Sequence, residues 1–267
     1  MNQPALRIVD PGRATTLQDL GRVGRADLGV PRAGAVDRDA HDLMNRLVGN
    51  DAHAASIETN GGLIVEALRP VIVATDGFRH TLGAGQRLAV EGRRDRVWSY
   101  LAVRGGIDVD PVMGSRSQDT LAGIGPPLLA AGTELPVGTD PASALPVDHV
   151  PLRRPPGVIR LWIGPRADWL VDGMDSVLGR SWTVSGSVSR VGVRLEAGEF
   201  TWATQHRLAS EGLVEGAVQI TPSGEPIIML ANHPTTGGYP VVAVVEPADL
   251  GAVAQSPPGT ELRFIAA

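Results

Sequence analysis

The chain has 267 residues, 43% of them hydrophobic and 20% charged, with a formal net charge of −5. That length fits one large domain or two modest ones, and mild acidity with only 4% aromatic residues offers nucleic acid or an anionic membrane little to bind. There is no cysteine and, every basic residue being arginine, no lysine, which excludes disulfides, thiolate chemistry, and Schiff-base, P-loop or biotinylated lysines.

The first residues, MNQPALRIVDPG, carry no basic-then-apolar pattern, so no signal peptide is expected. No apolar run reaches the length of about 18 residues that spans a bilayer. Together these predict a cytoplasmic protein. Short β-branched runs then follow one another: LRIV at 6–9, LIVEAL at 63–68, VIVAT at 71–75, VWSYLAVRG at 97–105, VIRLWIG at 158–164, GAVQI at 216–220, PIIML at 226–230, VVAVV at 241–245 and ELRFI at 261–265. Gly, Pro and Asp turns separate them. The pattern predicts a mainly β protein with a few helices, its sheets closed into barrels or sandwiches. One clear helix is expected in AVDRDAHDLMNRLVGN, where Ala40, Leu43, Met44 and Leu47 form an apolar stripe. Asp37 and Asp39 favour its start and Gly49-Asn50 its stop. Shorter helices are expected at 167–177 and 249–254. Residues 138–157, rich in proline and without periodicity, read as a linker. They divide the chain into lobes 1–150 and 151–267.

The six histidines, His41, His53, His80, His149, His206 and His233, have no metal-ligand spacing, so no metal is expected. Nucleophile-elbow, P-loop and dinucleotide fingerprints are missing. What remains is three polar, glycine-rich clusters. The first, residues 12–37, is too long and too punctuated for one strand. In the second, residues 104–125, Arg116 and nearby serines suit a carboxylate or phosphate, unless Arg116 simply pairs with Asp119. The third, residues 210–240, holds Glu211, Gln219 and the stretch NHPTTGGYP. Gln219 points either into a pocket or to solvent. The hydroxyls of Thr235 and Thr236 with the N–H groups of Gly237 and Gly238 suit an anion nest; alternatively the threonines bond back to a bulged turn.

In order, TTLQDLGRVG with GVPRAGAVD, LVGN, Glu58-Thr59, RGGIDVDPVMGSRSQDTLAGIG, IGPRADW, SRVGVRL, SEGLVEGAVQI, PIIML, TTGGYPVVAVV and DLGAVAQSPPG resemble the family of KipA-like proteins. The same family is called allophanate hydrolase subunit 2 or biotin-dependent carboxyltransferase subunit. The resemblance spans residues 7–264 and implies a cyclophilin-like β-barrel architecture. It implies a subunit of an ATP-dependent 5-oxoprolinase-type enzyme, opening 5-oxoproline to glutamate. ATP would be used by the complex, and biotin would not be attached to this chain. The implied partners are a KipI-like or allophanate hydrolase subunit 1 chain and, in 5-oxoprolinase, a LamB-like subunit. Two other roles follow from the same family: a carboxyltransferase or allophanate-related subunit acting on urea-like amides, and a non-catalytic antagonist of a KipI-like kinase inhibitor.

The chain departs from the family where Asp-x-Gln usually precedes TTGGYP, since it has Asn232-His233-Pro234. It departs again where Asp-Arg-Met-Gly is common, with Ser189-Arg190-Val191-Gly192. The substrates so implied present N–H and C=O on one edge, which needs a donor and an acceptor side by side. The expected catalytic residues are therefore Glu211, Asp119 and Asn232. The expected substrate-binding residues are Arg116, Arg190, Gln219, Thr235, Thr236, Gly237, Gly238 and Tyr239.

Overall fold

Along Leu63–Ala67 every second residue is buried, with Ile64 and Glu66 on the less buried face. This is the period-2 pattern of a strand that covers a core on one side. The computed structural model describes residues 3–152, 157–204 and 208–267. It divides into two compact units, Met1–Val23 with Ala33–Arg154, and Gly24–Arg32 with Pro155–Ala267. His206 lies outside the described residues, as do residues 153–156 of the expected linker.

In the first unit, antiparallel strands Arg87–Val90, Leu63–Ala67, Pro4–Asp10 and Glu134–Pro136 form one sheet in that order. A second sheet runs Thr16–Gln18, Ser56–Thr59, Ser99–Val103, Val71–Thr75 and Phe78–Leu82. Leu6, Ile8, Leu63 and Val65 from the first and Ile57, Val73 and Leu101 from the second share one core. The expected helix spans Arg38–Leu47. The Asp37 carboxylate caps it, accepting from the Ala40 N–H at 3.0 Å. Its buried face differs from the apolar stripe: His41, Met44, Asn45 and Leu47 are buried, while Leu43 and Ala40 are only partly so. The polar pair can go inside because its hydrogen bonds are met. His41 lies 2.8 Å from the Ser56 hydroxyl and 3.1 Å from the Ala52 carbonyl, and Asn45 donates to the Ala54 carbonyl at 2.9 Å. Burial holds the His41 pKa below its ordinary value, so the ring is neutral.

The described part of 138–157 is no loose linker. Arg104 donates to Asp140 at 2.9 Å and to the Ser143 carbonyl at 2.8 Å. Arg79 pairs with Asp148, and His149 stacks on Phe78 at 4.1 Å. The segment looked unstructured because arginines distant in sequence hold it, and they leave no local periodicity.

The second unit is a closed barrel of seven strands: Val158–Ile163, Val241–Val245, Ala217–Ile220, Pro226–Met229, Gly192–Leu195, Ser181–Val188 and Glu261–Ala266. The first and last pair in parallel, Val158 opposite Arg263, and close the ring. A two-stranded ribbon, Glu211–Gly212 with Thr236–Gly237, stands apart from the barrel sheet. The helix expected at 167–177 is two 3-10 turns, Ala167–Trp169 and Gly173–Ser176. Gly173, at φ +54°, interrupts the helical path. Leu250–Ala254 is helical, entered through the turn Pro247–Asp249. Among the described residues no helix is long and apolar enough to cross a membrane.

Candidate functional site

Each unit carries a polar centre. In the first unit it forms around Asp19, in the loop that follows the strand Thr16–Gln18. One carboxylate oxygen accepts from the Ser115 hydroxyl at 2.6 Å, from the Ser117 hydroxyl, and from the Gly21 N–H at 2.8 Å. The other accepts from the Arg116 N–H at 2.6 Å. Burial pushes the Asp19 pKa up, but these four donors outweigh it and hold it below the ordinary aspartate value. The carboxylate therefore ties segments 19–21 and 115–117 into one rigid piece.

Arg116 and Asp119 sit on that piece but do not pair. The Arg116 guanidinium donates to the Val109 carbonyl at 2.6 Å and to Asp108 at 2.7 Å. This settles the sequence alternative against an Arg116–Asp119 pair: Asp119 lies in its own tight turn. Its Oδ1 accepts from the N–H groups of Leu121 (2.9 Å) and Ala122 (3.1 Å), and it is fully buried. Its Oδ2 accepts from no described residue. Three buried neighbours in the same segments also have an unmatched atom among the described residues: Gln18 Oε1, Gln118 Oε1 and Arg22 Nη1. A buried polar group left alone costs about 1–3 kcal/mol, so this cluster calls for water or a small polar molecule. Arg22 donates to the Ser117 carbonyl. Burial lowers its pKa, against the raising effect of the Asp19 and Asp119 charges.

In the second unit the stretch 232–240 is fixed from several sides. Asn232 is fully buried; its side-chain oxygen accepts from Arg190 Nη2 at 3.0 Å. Its N–H donates to the Arg190 carbonyl at 2.9 Å. The structure thus brings Asn232 and Arg190 together. His233 Nδ1 donates to the Pro234 carbonyl at 2.8 Å. Thr236 and Gly237 pair with Gly212 and Glu211 in the ribbon, and the Leu213 N–H donates to the Thr235 carbonyl at 2.9 Å. Gln219 resolves inward: it is 2% exposed, and its Nε2 donates to the Tyr239 carbonyl at 2.8 Å. Glu211 forms an ion pair with Arg166, each side chain 31% exposed. Arg166 also lies over the Trp169 ring, 5.7 Å from its centroid.

Two expectations for this loop change. Gly237 and Gly238 are absent from the glycines at positive φ, and Gly237 belongs to the ribbon, so the anion nest does not form. Nor do the Thr235 and Thr236 hydroxyls fold back on the main chain: neither bonds to a described residue. Gly238, Tyr239 and Pro240 instead line a cavity of about 1000 Å³ with Trp169, Phe200 and Trp202. Sequence reasoning missed Asp19, Ser115, Ser117 and Arg166. The available signals were the serine pair in GSRS, too short-range to announce a partner near residue 19, and the arginine of IGPRADW. Among the described residues no group of His, Asp and Glu is arranged to hold a metal ion.

Residues 28–266 match the family model of the carboxyltransferase domain, subdomain A and B. The chain is 36% identical to the C component of 5-oxoprolinase from Escherichia coli K12, over 97% of this chain and 90% of that protein. It is 30% identical to the urea amidolyase of Saccharomyces cerevisiae, over 98% of this chain and 16% of that one. Its fold matches the crystal structure of TTHA0988 with a TM-score of 0.88 at 32% identity, covering 98% of this chain. It spans about half of that chain, 55%. The Kluyveromyces lactis urea carboxylase structure matches with a TM-score of 0.85 at 25% identity, over 100% of this chain and 28% of that one.

Proposed function

The chain belongs to the carboxyltransferase-domain family, subdomain A and B, and from that premise we propose that it is a subunit of an ATP-dependent amidohydrolase complex that opens a small cyclic amide, as 5-oxoprolinase does. The observation that carries this reading is the state of the TTGGYP loop. Its main chain is held from behind by Gln219 and the ribbon, while the Thr235 and Thr236 hydroxyls bond to no described residue. Its Tyr239 end lines a cavity wide enough for a small ring. The likeness to a 5-oxoprolinase component along nearly its whole length supports the same reading.

In this scheme ATP supplies the activation of the unreactive lactam carbonyl. The chain's own residues bind and orient. The threonine hydroxyls offer donor and acceptor to the amide edge, and Tyr239 packs against the ring. Asn232, held by Arg190, keeps the loop's entry in place. Glu211 acts first as the partner of Arg166, which fixes the ribbon. The carboxylate of the first unit that we assign to the reaction is Asp119, whose Oδ2 accepts from no described residue. Cytoplasmic location and partners of the KipI-like and LamB-like kinds complete the proposal.

The test is ATP-dependent glutamate formation from 5-oxoproline with the partner subunits present, and with each omitted in turn. Turnover that needs this chain and falls at least about tenfold in Thr235→Ala/Thr236→Val supports it; no turnover from the complete set refutes it. A second reading, a carboxyltransferase subunit acting on urea-like amides, is favoured by the 30% identity to urea amidolyase. It predicts carboxyl transfer only when a separate biotinylated carrier is supplied, because this chain has no lysine to carry biotin.

A further inference from the structure

Three loops of the first unit, residues 11–13, 60–62 and 91–96, meet backbone to backbone. The Arg13 N–H donates to the Gly61 carbonyl at 3.0 Å, the Asn60 N–H to the Arg13 carbonyl at 3.0 Å, and the Gly62 N–H to the Val90 carbonyl at 2.9 Å. Side chains are barred from the junction. A Cβ on Gly12 would fall 2.5 Å from the Gly61 oxygen, and one on Gly61 would fall 2.3 Å from the Gly92 Cα; both glycines also have positive φ. The result is a groove of about 580 Å³ with a bare backbone floor.

Its walls are cationic. Four arginines, Arg13, Arg93, Arg94 and Arg96, line it against two carboxylates, Asp10 and Glu91, in a chain whose net charge is −5. Asp10 is turned to the Gly12 N–H, which it accepts at 2.9 Å. Arg93 is paired with Asp95 at 3.0 Å, and Arg96 is 6% exposed. The Arg13 and Arg94 guanidiniums bond to no described residue. Arg13 nevertheless reaches across the groove, its Nη2 lying 3.5 Å from where a Gly92 Cβ would stand. The N–H groups of Gly92, Arg93 and Arg94 likewise donate to no described residue. By contrast, both arginines that the sequence nominated for an anion are spent on the protein: Arg116 on Asp108 and Arg190 on Asn232.

We propose that this groove binds the phosphate chain of a polyphosphate anion such as a nucleoside triphosphate. Guanidinium forks and successive peptide N–H groups suit phosphate oxygens, and the glycine floor lets the chain of phosphates lie close. No aromatic residue lines the groove, so the phosphates are bound and the base is not read. The choice of anion rests on the ATP dependence proposed above. Binding itself rests on the groove alone.

The experiment is calorimetric titration of the full chain, without partners or turnover, using inorganic tripolyphosphate, ATP and adenosine at low and at physiological salt. Saturable binding of tripolyphosphate and ATP with similar affinity, none of adenosine, and weakening with salt are expected. Arg13→Ala/Arg94→Ala should weaken both by tenfold or more, with circular dichroism unchanged because both side chains are on the surface. Arg69→Ala, an exposed arginine outside the groove, should bind as the parent does. Three results would each overturn the proposal: no saturable binding, an unaffected double variant, or an equal loss in Arg69→Ala. Failure of the glutamate assay with binding intact would refute the reaction and leave the groove standing.

Discussion

Asp19, in a loop of the first unit, and Glu211, in the ribbon of the second, are carboxylates outside the main sheets, yet they do different work. Asp19 is 8% exposed and collects four donors from its own chain. Glu211 is 31% exposed and has one guanidinium partner, itself as exposed. A sunken carboxylate with both oxygens matched is architecture: removing it strands its donors. A half-exposed ion pair contributes little to stability and stays open to exchange with a ligand. Asp19 thus freezes the loops around it, whereas Glu211 leaves its ion pair within reach of solvent.

The sharpest way to break that contrast is Asp19→Ala. It leaves two serine hydroxyls and two N–H groups without an acceptor and should cost about 3–5 kcal/mol in denaturant unfolding. The same carboxylate gives a pH test. Its folded pKa lies below the unfolded one, so its stabilisation is full above the ordinary aspartate value and is lost as pH falls through the folded value. Acid titration of stability should be shallower in Asp19→Asn than in the parent over that window. An identical slope would contradict the assignment.

Next in size is Gln219→Leu. It removes the 2.8 Å bond to the Tyr239 carbonyl at a cost of about 1–2 kcal/mol, and loop hydrogen exchange at 235–239 should speed up. Asp37→Ala removes a helix cap and should cost about 1 kcal/mol, read from the midpoint of chemical unfolding. Smallest is Arg166→Met. Breaking the exposed pair with Glu211 should change stability by less than about 1 kcal/mol, while turnover of the assembled complex falls more than stability does. A loss as large as that of Asp19→Ala would erase the distinction between the two carboxylates.

Much of the scaffold was legible because short apolar runs mark the strands, alternating in burial in LIVEA and buried almost throughout in VIVAT and VVAVV. LIVEA, VIVAT and VVAVV became strands close to where their apolar runs lie. Ser181–Val188 (SWTVSGSV) was not legible: its serines and glycine hide the alternation of Trp182 and Val184, which are buried. The helix was legible from Asp37 and Met44, but its true inner face was not, because hydropathy ranks His41 and Asn45 as outer residues. The candidate site was legible as a set of loops and not as a set of bonds. Nothing local in GSRSQD says that its serines serve Asp19, nearly a hundred positions earlier (|i−j| = 96 for Ser115). Nor does NHPTTGGYP reveal that a strand glutamine holds its tyrosine carbonyl.

The parallel seam between Val158–Ile163 and Glu261–Ala266 also bears on synthesis. On the ribosome, the first barrel strand emerges early and its seam partner last, and contacts this far apart in sequence form slowly. Until Glu261–Ala266 clears the exit tunnel, the ring stays open and shows two unpaired strand edges. Open edges of this kind are templates for pairing with other chains, whereas the first unit, whose last strand is Glu134–Pro136, has all its strands before the first barrel strand is made.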